Sequence, residues 1–503
     1  MKKFTIFLLL AMFSLSLFTN AQVSVTTFQK TFGGLNADEA NYVQQTSDEG
    51  YIITGWTQSG ILGSTWDVFL IKTDQFGNIL WNKTYGNTAG ESGNCVQQTI
   101  DGGYIVAGEY SNGGFNRGFV VKTKPDGDTL WVKIYGNSDS RFVTIRQTFD
   151  GGYITAGGSK IFRLDSLGNI IWAKNYNELI GIVEVEQTID GNYVAISTNN
   201  LFKINNVGDV IWSKTYPVGS AKSIQQTTDG GYIFSGINGS SPLYFGYFIK
   251  TDVNGNIIWG KNYSNGGIGN GIFTSYGRQT NNGNYVGLLI NSFGGGVFYF
   301  NSIMIDSIGN FIWSKNYQDT YCYGFCIQQT IDEGFVFVGW KGNTSQLHDV
   351  YFVKTDINGI SGCNETPYLL SVSNISGAVT PLTLTTTSIN IVNSIPVYVN
   401  SLTLTETTLC TTVGVDDNSI VSNNFLIYPN PIGDILNLEF QSNKTEKIKI
   451  EMINLLGQVV LEENFDGENS KNLFTLEVSK IPKGIYMLRI MGSEIFSKII
   501  VKE

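Results

Sequence analysis

Residues 97–136 read QQTIDGGYIVAGEYSNGGFNRGFVVKTKPDGDTLWVKIYG, and the same pattern returns along the chain. It opens on a polar triplet that recurs at Gln44-Gln45-Thr46, Gln97-Gln98-Thr99, Arg146-Gln147-Thr148, Glu186-Gln187-Thr188, Gln225-Gln226-Thr227, Arg278-Gln279-Thr280 and Gln328-Gln329-Thr330, seven copies in all. It closes on a Trp followed two residues later by Lys, at Trp81, Trp131, Trp172, Trp212, Trp259 and Trp313, six copies spaced 40 to 54 residues apart. A repeat of this length is one supersecondary unit that buries its apolar face only against neighbouring copies.

Each copy divides into four short strands. The triplet ends the first. An Asp-Gly-Gly turn follows, as at Asp101-Gly102-Gly103 and Asp229-Gly230-Gly231, where Gly takes positive φ without strain. The second strand starts on an aromatic: Tyr51, Tyr104, Tyr153, Tyr193, Tyr232, Tyr285 or Phe335. The third is an apolar run ending on Lys, such as Phe119-Val120-Val121-Lys122, which suits a strand buried on both faces. A second Asp/Gly turn leads to the fourth strand and its Trp. Four strands repeated seven times predict an all-β, seven-bladed β-propeller over residues 22–360.

A seventh Trp strand is missing after Lys354-Thr355-Asp356. Phe28-Gln29-Lys30-Thr31-Phe32-Gly33 matches Trp81-Asn82-Lys83-Thr84-Tyr85-Gly86 position by position, so the start of the mature chain is expected to complete the last blade. Closure of this kind removes a free sheet edge. Blades that begin on the Trp strand would also give seven complete units, with no shared blade. The Asp-Gly turn before an outer-strand Trp, as in KTDQFGNILW ending at Trp81, resembles the blades of pyrroloquinoline-quinone-type and Asp-box propellers. The Asp-to-Gly spacing is shorter than in the first family and longer than in the second, so the resemblance implies fold and strand order but not quinone chemistry.

Met1–Ala21 reads as a secretory signal peptide: Lys2 and Lys3, an apolar run Phe4–Phe18 too short to span a bilayer, then small residues at Thr19 and Ala21. No other apolar run reaches spanning length, so no transmembrane segment is expected in the mature chain. A net charge of −10 and a pI near 4.8 argue against nucleic acid as a partner, because neutralising phosphates takes clustered Lys and Arg. His348 is the single histidine, which removes most His-dependent chemistry. Of the five cysteines, Cys322 and Cys326 stand about 13 Å apart on an extended strand, too far for a disulfide. No second Cys or His pair completes a zinc site. Cys363 and Cys410 flank one segment and are the disulfide candidates in an export-permissive context.

Composition changes after the last repeat, with no Lys or Arg between Lys354 and Lys444. Residues 361–423 read as a partly ordered, Ser/Thr-rich, β-rich linker, with alternation at Leu382-Thr383-Leu384-Thr385. Residues 424–503 form a separate unit of seven short strands, the pattern of a small immunoglobulin-like β-sandwich. Its landmarks are Tyr428-Pro429-Asn430-Pro431, Asp434 with Leu436, Asn454 before Gly457-Gln458, Gly484 with Tyr486, and Lys498 before an apolar strand. In this order they resemble the type A C-terminal sorting domain of the type IX secretion system of Bacteroidota. The resemblance implies an outer-membrane export route, the secretion machinery as partner, removal of the domain, and attachment to surface lipopolysaccharide as one fate.

The repeated Asp residues are candidates for acid–base work or for calcium, which binds through oxygen ligands. A residue present in every blade is spread around a ring rather than gathered, and Asp also bonds nearby backbone N–H groups in turns. The reading therefore assigns them to turn structure, with no cofactor and no catalytic residue. Trp56 and Trp340 follow Gly at the end of the second strand, where other copies have Glu109 or Ile237. Two aromatics on one rim suit stacking on a sugar or holding a peptide, or simple loop packing. No nucleophile–His–acid set or phosphate loop is visible, and no one-off polar cluster interrupts the repeats. The expectation is a secreted or surface binding protein for a glycan or matrix protein. A polysaccharide hydrolase or lyase and a structural surface-layer component are the alternatives.

Overall fold

The computed structural model describes residues 26–502 apart from 61–65, 138, 241–242, 265–269, 294–296, 318–320, 345–346, 364, 390–391, 395–397, 413–425, 429–431, 442–444, 455–458, 469–470 and 492–494. The signal-peptide segment, the Pro429–Pro431 triplet and Gly457 lie outside these. The chain divides into two units, Met1–Val415 and Asp416–Glu503.

The first unit holds seven antiparallel sheets of five strands each. Blade 1 is built from Asp38–Gln45, Tyr51–Thr57, Asp67–Thr73 and Ile79–Gly86, and blades 2 to 6 follow in order to Phe311–Tyr317. Blade 7 takes Cys322–Gln329, Phe335–Thr344 and Leu347–Thr355, and its fourth strand is Thr27–Gly33 from the start of the chain. Phe28 stands opposite Lys354 in the register that puts Trp81 opposite Lys72, so the first described strand replaces the missing Trp strand, with Phe for Trp. The inner strands of blade 7 pack on Asp38–Gln45 of blade 1, which closes the ring.

Residues expected to form a linker are instead part of the propeller. Glu365–Pro367, Ser371–Asn374, Thr380–Pro381, Thr386–Ser388, Val392–Ser394, Tyr398–Asn400 and Thr405–Thr412 each add a fifth strand, to blades 6, 5, 4, 3, 2, 1 and 7 in turn. The chain thus travels back around the outside of the ring and covers every outer edge, the N–H and C=O rows that would otherwise be open to pairing with another chain. The Leu–Thr alternation has a simple cause: Leu382 and Leu384 pack against the cluster between blades 3 and 4, while Thr383 and Thr385 are exposed. The ends of this belt are joined by a Cys363–Cys410 disulfide with Cα atoms 5.8 Å apart. Cys95, Cys322 and Cys326 are buried and form no disulfide.

The repeat residues account for the joints between blades. The second triplet residue is Gln in every copy. Its Oε1 accepts from the first turn residue of the preceding blade at 2.7–2.9 Å, from Ser47 to Gln98 and on around to Ile331 to Gln45. Each Trp ring lies on the glycine of the next blade's second turn. At Gly127, with φ of +82°, an added Cβ would stand 2.8 Å from Trp81, so both backbone and space demand glycine. The Lys two residues after Trp reaches the same turn, as from Lys83 to Asp128 at 2.6 Å.

Within a blade, the turn Asp accepts from its own Thr and from the third-strand Lys, as Asp101 does from Thr99 at 2.5 Å and Lys122 at 3.0 Å. Blade 6 has Asn282 for the Asp and Met304 for the Lys, so both charges are absent together and neither is left unpaired. The Asp of the second turn accepts from backbone N–H groups two and four residues on, as Asp165 does from Leu167 and Asn169.

The second unit has a three-stranded sheet, Leu426–Tyr428, Ile435–Gln441 and Lys471–Glu477, and a four-stranded one, Val459–Gly467, Glu446–Asn454, Gly484–Met491 and Ile495–Lys502. Leu436, Leu438, Ile450, Leu476, Leu488 and Ile500 from both sheets share one buried cluster.

Candidate functional site at the mouth of the propeller channel

The triplets end the innermost strands, so their first residues converge around the ring axis. Gln44, Gln97, Arg146, Glu186, Gln225, Arg278 and Gln328 all line one cavity of about 310 Å³. Gln44, Gln97 and Gln225 accept the backbone N–H of Gln98, Gln147 and Gln279 at 2.7, 2.6 and 2.7 Å. Glu186 accepts from the Gln226 N–H in the same way. Four of the seven positions thus make the same side-chain-to-backbone bond to the next blade, while Arg146, Arg278 and Gln328 bond elsewhere.

Where the side chain at this position varies, a polar cluster forms, contrary to expectation. Arg146 donates to Glu184 at 2.7 Å, to the Tyr42 hydroxyl at 2.9 Å and to the Cys95 sulfur at 2.8 Å. Arg278 donates to Glu184 and to the Tyr276 hydroxyl, and to the Ile224 carbonyl at 2.8 Å. The Ile224 N–H binds the second oxygen of Glu184 at 2.9 Å. Burial works to raise the Glu184 carboxyl, but the Arg278 and Arg146 guanidiniums hold it below the usual carboxylate range. Burial pushes Glu186 up to about 7, against the pull of Arg278. Two guanidiniums therefore share one firmly ionised carboxylate, and a second, weaker acid stands at the rim. Only the exchange of Gln for Arg146, Glu186 and Arg278 at the first triplet position, with Glu184 one strand step inward, marked this cluster in the sequence. Its side chains come from blades 1, 2, 3, 4 and 6, with backbone groups of Ile224 from blade 5, and no sequence spacing shows that they meet.

Trp56 and Trp340 lie on the opposite face, since they pair with the starts of the innermost strands, at Glu39 and Tyr323. The lone histidine brings them together: its ring centroid is 4.8 Å from Trp340 and 5.8 Å from Trp56. Trp66 extends the row at 5.6 Å from Trp56, and Tyr323 stacks on Trp340 at 6.2 Å. His348 Nε2 is 3.4 Å from a Glu39 oxygen. In the second unit Tyr486 is buried and its hydroxyl donates to the Pro482 carbonyl at 2.8 Å. Gly484 opens the strand that pairs with Ile495–Lys502, where Lys498 stands opposite Leu488.

Residues 426–502 match the family model of the secretion system C-terminal sorting domain. No curated protein matches the chain. Among solved structures, it is similar to a protein of unknown function from Bacteroides caccae at 18% identity, covering 53% of this chain and 93% of that one with a TM-score of 0.37. The Pan2 WD40 domain of Neurospora crassa aligns at 11% identity over 64% of this chain and 90% of its own, TM-score 0.42. The Dos1 propeller aligns at 11% identity over 83% and 93%, TM-score 0.36. No described helix is long and apolar enough to cross a membrane. Seven closed blades followed by a matched sorting domain make this chain a β-propeller of the type IX secretion route, exported to the cell surface or beyond.

Proposed function

We propose that the propeller is an exported, non-enzymatic binding protein and that its ligand, a glycan or a matrix protein, enters the channel mouth on the triplet face. The observation that supports this is the convergence of seven side chains on one cavity of about 310 Å³, four of them held in place by bonds to backbone N–H groups. Rigid backbone-anchored positions favour binding because little side-chain entropy remains to be lost. The buried Arg146–Glu184–Arg278 cluster satisfies its own charges, which suits a fixed wall better than a reacting group.

A glycan and matrix-protein array probed with the secreted protein tests the reading. Asn281 lines the cavity, and only its backbone N–H serves the ring, so Asn281→Trp plugs the mouth without breaking a joint. Binding should disappear in that variant. Binding that survives it but is lost in Trp340→Ala would move the site to the aromatic row of Trp56, His348 and Trp340. One observation favours the enzymatic alternative: Glu186, the rim acid with its pKa raised to about 7, has the form of a general acid. Polysaccharide turnover that vanishes in Glu186→Gln would establish it.

A further inference from the structure

We propose that the channel mouth recognises the oxyanion group, carboxylate or sulfate, of an acidic sugar; this rests on the mouth being the ligand site. Gln44, Gln97 and Gln225 each have a backbone N–H directed at one end of the side-chain amide, at 2.6–2.7 Å. A donor needs an acceptor, so that end is oxygen and the NH₂ of each amide is left for the channel. Among the described residues none of these three NH₂ groups donates to a protein atom. All three side chains line the cavity and are partly exposed to it.

Arg146 and Arg278 line the same space and bring two positive charges against the one carboxylate they share. The acceptors nearby are largely engaged. One Glu184 oxygen takes both guanidiniums and the other takes the Ile224 N–H, while Glu186 holds the Gln226 N–H. The Tyr42 and Tyr276 hydroxyls are 3.2 Å apart and both accept from arginine. The donors in excess are the three amide NH₂ groups, set in the field of two guanidiniums whose own terminal N–H groups are engaged within the wall, and they match a planar or tetrahedral oxyanion. A neutral sugar offers hydroxyl donors as well, and would leave them short of acceptors. The volume of about 310 Å³ is at the small end of ligand pockets, roughly 300–1,000 Å³, and far exceeds what a bare inorganic anion fills. An oxyanion carried on a sugar ring uses both the donors and the space.

The test exploits a substitution that the ring already contains. Glu186 occupies the triplet position that Gln97 and Gln225 hold in their own blades and makes the same backbone bond, so Gln97→Glu and Gln225→Glu preserve the joint while removing a donor and adding negative charge. The secreted protein is titrated by calorimetry with an oligogalacturonate, a sulfated oligosaccharide, a neutral cello-oligosaccharide and sodium sulfate. The expected result is binding of one or both acidic oligosaccharides, weakened about tenfold or more by the double variant and by raised salt, with an unchanged melting temperature. Which acidic arm binds tells carboxylate from sulfate. The inference is overturned if the neutral oligosaccharide binds equally well, if the double variant leaves acidic binding intact, or if sodium sulfate competes as strongly as the oligosaccharide. If neutral binding is found and is blocked by Asn281→Trp, the mouth remains the ligand site and only the acidic class is wrong. Failure of every arm, in a protein that the array shows to bind elsewhere, removes both.

Discussion

The Cys363–Cys410 bond closes the belt into a loop 47 residues apart in sequence, running from beside blade 6 back to blade 7, where Cys410 stands opposite Gln29 of the closing strand. Replacing both cysteines with Ser removes the cross-link and leaves the strand pairings in place. In the chain-entropy treatment a loop of that length restricts the unfolded chain by about 4 kcal/mol at 25 °C. The propeller unit unfolds with roughly 2.1 cal/mol/K per residue, so over about 390 residues 4 kcal/mol corresponds to a melting shift of about 5 °C. The belt contributes short edge strands and few fully buried side chains, Leu402 among them, so it should also detach before the ring does. Differential scanning calorimetry and limited proteolysis of the wild type and the Cys363→Ser/Cys410→Ser variant measure both effects. The expected result is a melt lower by about 5 °C and faster cleavage between residues 375 and 412, with reductant reproducing it only in the wild type. Melting temperatures within about 1 °C of each other, with equal cleavage rates, would refute the view that the belt is clasped by this bond.

Trp131 lies against Gly168 and Tyr153 of the next blade and is partly buried, so Trp131→Ala should cost about 3 kcal/mol by denaturant melting, while Leu130→Ala, at an exposed neighbour, should cost little. Glu91 is fully buried, and burial pushes its carboxyl up to about 8, with the Asp67 charge adding to the rise. A raised carboxyl pKa favours the neutral form in the folded state, so its contribution is complete below the unfolded value near 4.5 and is lost as pH rises to about 8. Stability should therefore fall between those values in the wild type, and Glu91→Gln should flatten the melting-temperature profile over the same range. Deleting Ile495–Lys502 exposes the edge of Gly484–Met491 and should leave the folded propeller in the periplasm, read by cell fractionation in a host with the type IX machinery.

The ring was legible in the sequence because it depends on local chemistry repeated in each copy. Asp-Gly-Gly turns, aromatic strand starts and Trp-x-Lys strands each report a backbone conformation or a contact one blade away. The same comparison of copies matched Phe28–Gly33 to the Trp strands, and the match holds because Phe28 packs against Gly77 and Tyr51 as Trp81 packs against Gly127 and Tyr104. The sorting domain was legible for a related reason, since its landmarks follow one another in order along a short stretch. The belt was not. Six of its seven strands have only two to four residues, too few for periodicity to tell them from a polar linker, and the belt's partners lie 48 to 385 residues away, outside any local signal. Tertiary structure alone supplied the reason for the alternating Leu and Thr between these strands, which is that Leu382 and Leu384 pack into the seam between blades 3 and 4 while Thr383 and Thr385 face outward. It likewise decided the channel mouth: Arg146, Glu184 and Arg278 are ordinary variants of a repeat when read along the chain, and only closure of seven inner strands around one axis places two guanidiniums on a single buried carboxylate.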